Sequence, residues 1–143
     1  MSRFVVDASV AAKWCLPRTG ETLVDEAFSL LKRYVTGEIQ MIVPDLFWAE
    51  IGNILWKATR QGRSTIVAAH AAIKALEERN LPTVPSLTLL ELALDLANNF
   101  GRTVYDSLYI ALAVQSKAEL ITADQRLATA VASHLPVKWL GAP

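Results

Sequence analysis

Apolar and polar positions along this chain fall into short blocks that switch repeatedly between the period of a strand and the period of a helix. Arg3 to Val6 reads as a short buried strand, followed at once by a short helix from Ala8 to Leu16 that Pro17 stops. Leu23, Val24, Ala27, Phe28, Leu30, Leu31 and Tyr34 recur at helical spacing and predict a helix from Glu21 to Val35, with Gly37 just beyond as a stop signal. Met41 to Val43 is a second strand. Pro44-Asp45 opens a helix from Leu46 to Arg60, closed by Gln61-Gly62, and Ser64 is placed to cap the next, Thr65 to Arg79. Thr83 to Pro85 is a third strand. Ser86 or Thr88 caps a helix that runs through Asn98, and Asn99-Phe100-Gly101 ends it. A helix from Thr103 to Lys117, a strand from Leu120 to Thr122, a helix from Asp124 to Ser133 and a strand from Val137 to Leu140 complete the pattern.

Strands this short and apolar, alternating with helices, predict an α/β fold whose parallel sheet is covered on both faces. There is no internal repeat, low-complexity tract or linker, so residues 1–143 are expected to form a single domain. The 143 residues are 52% hydrophobic and 20% charged, which supports one substantial core. Fourteen basic and fourteen acidic residues balance, so the overall charge attracts neither nucleic acid nor anionic membrane, and any polyanion site must be local. A lone cysteine, Cys15, excludes an internal disulfide and a cysteine-based zinc site, and suits a reducing cytosol. His70 and His134 are too few and too scattered to build a metal site. Asp7 and Lys13 interrupt the apolar N-terminal run before it reaches the length of an export signal, and charges and prolines break every candidate membrane span. A soluble, cytoplasmic protein is the expectation.

Asp7, Glu50, Asp106 and Asp124 stand out because each interrupts a run that would normally exclude a charge. Asp7 follows Phe4-Val5-Val6 and Asp124 follows Leu120-Ile121-Thr122-Ala123, so a parallel sheet would bring both out at the same edge, where open α/β sheets bind ligands. Each also has a plainer reading. Asp7 and Asp124 can be helix N-caps, and Thr103-Val104-Tyr105-Asp106 fits a capping box. Glu50 resists that explanation: it lies inside a helix, with Leu46 and Ile54 as its i±4 neighbours. Glu50, Asn53 and Lys57 form one polar stripe on that helix, with Trp48, Leu55 and Trp56 opposite. A carboxylate cluster repels itself unless a cation fills it, and an all-oxygen set favours Mg²⁺ or Mn²⁺ over zinc.

Val5-Val6-Asp7-Ala8-Ser9, Pro44 to Asn53 (with Glu50), Tyr105 to Ala113 (with Asp106) and Thr122-Ala123-Asp124-Gln125-Arg126-Leu127 resemble, in that order, the four signature segments of PIN-domain proteins. The resemblance covers essentially the whole chain, and the single-domain length is most similar to the VapC-like toxins of toxin–antitoxin pairs. It implies a three-layer α/β/α sandwich and Mg²⁺- or Mn²⁺-dependent cleavage of RNA. Carried over by position, Asp7, Glu50, Asp106 and Asp124 become metal-binding catalytic acids, with Ser9 and Thr122 as nearby hydroxyls and Asn53 as support for Glu50. Lys13, Arg18, Arg102 and Arg126 lie close in sequence to the acids and are candidates for contacting RNA phosphates. A cognate antitoxin and a second copy of the chain are the expected protein partners, and the apolar back of helix 46–60 is the surface expected to receive them.

Two other phosphate-handling classes lack their required residues here. A haloacid-type phosphatase needs Asp-x-Asp where this chain has Asp7-Ala8-Ser9, and a receiver domain needs further acids before the first strand, where only Ser2 and Arg3 stand. A catalytically silent PIN-like interaction module is the surviving alternative.

Overall fold

The computed structural model describes residues 1–143. Five strands, β1 (Ser2–Val6), β2 (Ile39–Pro44), β3 (Thr83–Val84), β4 (Glu119–Thr122) and β5 (Val137–Trp139), form one parallel sheet in the order β3-β2-β1-β4-β5. Seven α-helices cover it: α1 (Ala8–Cys15), α2 (Val24–Val35), α3 (Leu46–Arg60), α4 (Ile66–Glu77), α5 (Leu90–Phe100), α6 (Val104–Gln115) and α7 (Gln125–Val131). Right-handed crossovers fix which face each takes. The chain moves outward from β1 to β2 to β3, which sends α1 to α4 over one face, where they pack on one another. It then jumps back past β1 to β4 and β5, which sends α5 to α7 over the other, with α6 lying across β1, β2 and β4. The expected three layers are present. β1 and β4 are adjacent, and the chain leaves them toward opposite faces, so their carboxyl ends flank the topological switch point.

The core is continuous through the sheet. Val5, Val6, Met41 and Val43 on the strands and Val10, Phe47, Ile51, Leu55, Ile110 and Leu112 on the helices are all essentially sealed from water. Along α6 seven consecutive residues from Ser107 to Ala113 are buried, because the helix is roofed by α5 and floored by the sheet.

Several expected boundaries move, each for a local reason. Helix α2 begins at Val24 and not at Glu21, because Leu23 takes a left-handed conformation and Glu21 is held in the preceding loop by Lys13 and Arg63. Thr65, not Ser64, caps α4, accepting from the Ala68 N–H at 3.1 Å. Neither Ser86 nor Thr88 caps α5: Ser86 donates to Asp45 from both its N–H and its hydroxyl, Thr88 donates to the Pro85 carbonyl, and Ser86–Leu89 winds as a single 3-10 turn ahead of the helix. Asp124 is the cap of α7 and not its first residue, and α7 stops at Val131.

The apolar back expected on α3 is not a free surface. Phe47, Ile51, Leu55 and Ala58 face the core, and Trp48 packs edge-on against Phe47 while its indole N–H donates to Thr83. Trp56, large and apolar enough to suggest a core position, is 55% exposed and lies against the Arg60 guanidinium. Phe28 is also exposed, whereas Trp14 and Tyr34 pack against the core. The exposed apolar side chains cluster elsewhere, at Leu87, Leu90 and Leu94 and at Ile66 and Val67. No helix is long and apolar enough to cross a membrane.

Candidate active site

Asp7, Glu50, Asp106 and Asp124 all line one cavity of about 410 Å³ at the carboxyl edge of the sheet. Four separate elements deliver them. Asp7 ends β1, Glu50 projects from α3, Asp106 sits in the first turn of α6, and Asp124 follows β4. Ser9 and Asn53 line the same space, together with Leu46, Tyr105 and Tyr109.

Asp7 and Asp124 are caps, and they reach the cavity as well. The Asp7 Oδ1 accepts from the N–H groups of Ser9 (3.1 Å) and Val10 (3.4 Å), and the Asp124 Oδ1 accepts from those of Arg126 (3.0 Å) and Leu127 (3.2 Å). Capping thus occupies one oxygen of each carboxylate and aims the group. The two turns are stitched together by Ser9, whose hydroxyl donates to Asp7 and accepts from the Ala123 N–H at 3.0 Å. Thr122, fully buried, supports both acids: it hydrogen-bonds Asp7 and accepts from the Asp124 N–H at 3.0 Å. Both hydroxyls stand where the sequence suggested.

Asp106 is not the cap of α6. Thr103 is, its hydroxyl accepting from the Asp106 N–H at 3.1 Å. The Asp106 carboxylate is left over the cavity, with Arg102 Nε 3.8 Å from its Oδ2. Glu50 is held from the opposite side of the sheet. The Tyr109 hydroxyl donates to its Oε1 at 2.5 Å, so Tyr109 and not Asn53 is the hydrogen-bonding support of Glu50. Tyr109 was missed because its partner lies 59 residues away in sequence. Its position three residues after Asp106 was the only local signal.

The electrostatics tie the four acids into a chain. Burial pushes the Asp7 carboxyl up to about 6, against the hydrogen bonds from Ser9, Thr122 and Val10, with the charge of Glu50 adding to the rise. Glu50 is raised by burial and by Asp106, with Tyr109 opposing. Asp106 is raised by burial and by Asp124, with Arg102 opposing. Burial, the bond to Glu50 and the nearby charges of Glu50 and Asp7 drive the Tyr109 phenol far above its usual range, so it is a donor at every physiological pH. The carboxylates surround the cavity without closing on one point: no three His, Cys, Asp or Glu side chains come close enough to ligate a single ion. The donor set is nonetheless one that hard divalent cations take, all oxygen and anionic, with stored repulsion that a cation relieves.

The cationic candidates divide. Arg102 is brought to the acids, and its buried Nε has no hydrogen-bond partner. Arg126 is exposed beside Asp124 but faces a separate shallow depression with Gln125 and Thr129. Lys13 is buried and engaged 3.4 Å from Glu21, and Arg18 is paired with Asp25 at 2.7 Å, so neither is presented at the cavity.

A parallel sheet with four carboxylates gathered beyond the carboxyl ends of its central strands defines an α/β protein with an acidic cleft at its ligand-binding edge. The chain belongs to the PIN domain family, whose signature extends over residues 4–132. It is 32% identical to Ribonuclease VapC3 of Pyrobaculum aerophilum over 131 residues, 88% of this chain and 92% of that one. It is likewise 32% identical to Ribonuclease VapC1 of Mycobacterium tuberculosis over 133 residues, 91% of this chain and 92% of that one. Among solved structures, PAE2754 from Pyrobaculum aerophilum superposes with a TM-score of 0.66 at 28% identity, covering 90% of this chain and 79% of the other. A toxin–antitoxin complex from Klebsiella pneumoniae reaches the same TM-score at 16% identity over the full length of both chains, a likeness of fold.

Proposed function

We propose that this chain is an endoribonuclease that hydrolyses phosphodiester bonds of RNA with Mg²⁺ or Mn²⁺, and that it is the toxin of a toxin–antitoxin pair. The observation that carries the reading is the convergence of Asp7, Glu50, Asp106 and Asp124, from four distant segments, on one cavity while capping and hydrogen bonding leave carboxylate oxygen free. The relatives named as ribonucleases supply the substrate class.

A bound divalent cation supplies a water of lowered pKa and neutralises charge at the leaving oxygen. The chain's own residues do the rest. Asp7 and Asp124 are aimed by their caps and by the Ser9 and Thr122 hydroxyls, Glu50 is aimed by Tyr109, and Asp106 is carried by the Thr103-capped turn. Arg102, at the rim beside Asp106, is placed to meet a phosphate flanking the scissile bond. Unpaired RNA is the substrate form, because sequence-specific protein recognition of RNA reads splayed bases. An antitoxin and a second copy of the chain are the proposed partners, and the exposed Leu87, Leu90 and Leu94 offer apolar surface for such an association.

The test is cleavage of a single-stranded RNA by the purified chain in Mn²⁺ or in excess EDTA, beside Asp7→Asn prepared identically to expose any contaminating nuclease. Cutting that needs Mn²⁺ and the intact Asp7 supports the reading. Undiminished cutting in EDTA would sink the metal dependence, and no cutting or Mn²⁺ binding under any condition would leave a silent interaction module.

A further inference from the structure

On the reading of the acidic cavity as a metal-dependent nuclease site, we propose that Tyr109 is a positioning residue, whose hydroxyl fixes the Glu50 carboxylate in the orientation a divalent cation requires. Tyr109 is 3% exposed, lies on α6 and lines the cavity. Its hydroxyl bonds Glu50 on α3, which belongs to the helical layer over the opposite face of the sheet. The bond therefore joins the two helical layers at the cavity that their acids line.

Packing alone does not account for a hydroxyl here. A phenylalanine would fill the same volume, and a buried hydroxyl must find a partner or be penalised. The partner chosen is a half-buried carboxylate from the other helical layer. Glutamate has a long, rotatable side chain, and α3 offers Glu50 no i±4 ion pair, so without Tyr109 the carboxylate is free to swing toward water. A lysine or arginine in place of Tyr109 would hold Glu50 too, but its positive charge would compete with a cation. A neutral phenol holds the carboxylate and leaves its charge, and its Oε2, available.

The experiment uses the full chain carrying Tyr109→Phe, Glu50→Gln, or both. Mn²⁺ affinity is read by titration calorimetry, fold by a thermal melt without metal, and RNA cleavage as a function of Mn²⁺ concentration. Loss of one hydrogen bond to a charged ligand predicts Mn²⁺ affinity about tenfold weaker in Tyr109→Phe. Cleavage should fall at limiting Mn²⁺ and recover to within about twofold of wild type at saturation. In the Glu50→Gln background, Tyr109→Phe should weaken Mn²⁺ binding no further. Unchanged Mn²⁺ affinity in Tyr109→Phe, with affinity lost in Glu50→Gln, overturns the role of Tyr109 and leaves the site reading intact. A wild-type chain that binds no Mn²⁺, with Glu50→Gln indistinguishable from it, overturns the site reading and this inference together. If Tyr109→Phe does not fold, Tyr109→Met removes the hydroxyl with a differently shaped apolar side chain and leaves Glu50 untouched: about tenfold weaker Mn²⁺ binding supports the inference, and unchanged binding overturns it.

Discussion

Replacing Asp7 by Asn separates the charge of this residue from its place at the start of α1. Asn is as good an N-cap as Asp, so the amide oxygen can keep accepting from the Ser9 and Val10 N–H groups. What disappears is a negative charge in a buried place. Burial, reinforced by Glu50, moves the carboxyl from 3.8 to about 6, which means that at pH 7.5 the folded chain carries the ionised form at a cost of about 3 kcal/mol. The amide must seat its own NH₂ group, so the expected net gain without metal is about 1–3 kcal/mol, or about 3–10 °C in Tm. The gain has a pH signature. A carboxyl whose pKa is raised on folding takes up a proton more readily in the folded state, so wild-type stability rises as pH falls from about 6 toward 4, and Asp7→Asn lacks that contribution. The two melting curves should therefore coincide near pH 4 and separate above pH 6. Scanning fluorimetry across pH 4–8 measures this, and repeating it with Mn²⁺ at pH 7.5 should raise the wild type and leave the variant unmoved. A variant that melts lower than wild type by the same amount at every pH would refute the reasoning and reduce Asp7 to a helix cap.

Thr103 and Asp106 sit in one capping turn and should behave oppositely. Thr103→Ala is expected to lower stability by about 1 kcal/mol and keep Mn²⁺ affinity, whereas Asp106→Asn should melt no lower than wild type without metal and lose its Mn²⁺-induced shift in the same assay. Lys13 is buried against Glu21, which Arg63 also pairs, so Lys13→Met should cost about 1–3 kcal/mol in a denaturant titration and leave RNA cleavage by the folded fraction unchanged. Arg102→Gln should do the reverse, keeping stability within about 1 kcal/mol and weakening RNA binding, measured as a rise in KM.

The sheet and its helices were legible because the strands are short, apolar and bounded by Gly, Pro and capping residues, and the four acids were legible because each breaks such a run. What escaped depends on contacts between distant segments. The hydroxyl of Tyr109 looks like any aromatic in an apolar helix until α3 brings Glu50 to it. Ser86 reads as a cap until Asp45 takes its N–H and hydroxyl, leaving a 3-10 turn in place of a helix start. Lys13 reads as a phosphate ligand until Glu21, excluded from α2, claims it. Trp56 reads as core by size alone, yet the face of α3 that meets the core passes through Phe47, Ile51, Leu55 and Ala58 and leaves the indole outside. The spacing of the acids was not legible at all, because sequence gives the elements that carry carboxylates and not how far apart the packed elements set them.

Strand β1 needs β4 on one side, and the Ser9 hydroxyl needs the Ala123 N–H 114 residues later, so the segment that completes the cleft is synthesised after the other three acids. A nascent chain that has not yet emerged past Glu119 holds Asp7, Glu50 and Asp106 but not the neighbour that pins the β1–α1 turn, and a fragment clipped between α6 and β4 is in the same position. Such long-range closure is slow to form. Release of Glu119–Asp124 from the ribosome is therefore the step after which the cleft can close, and any shorter product holds three of the acids without the contact that orders the first of them.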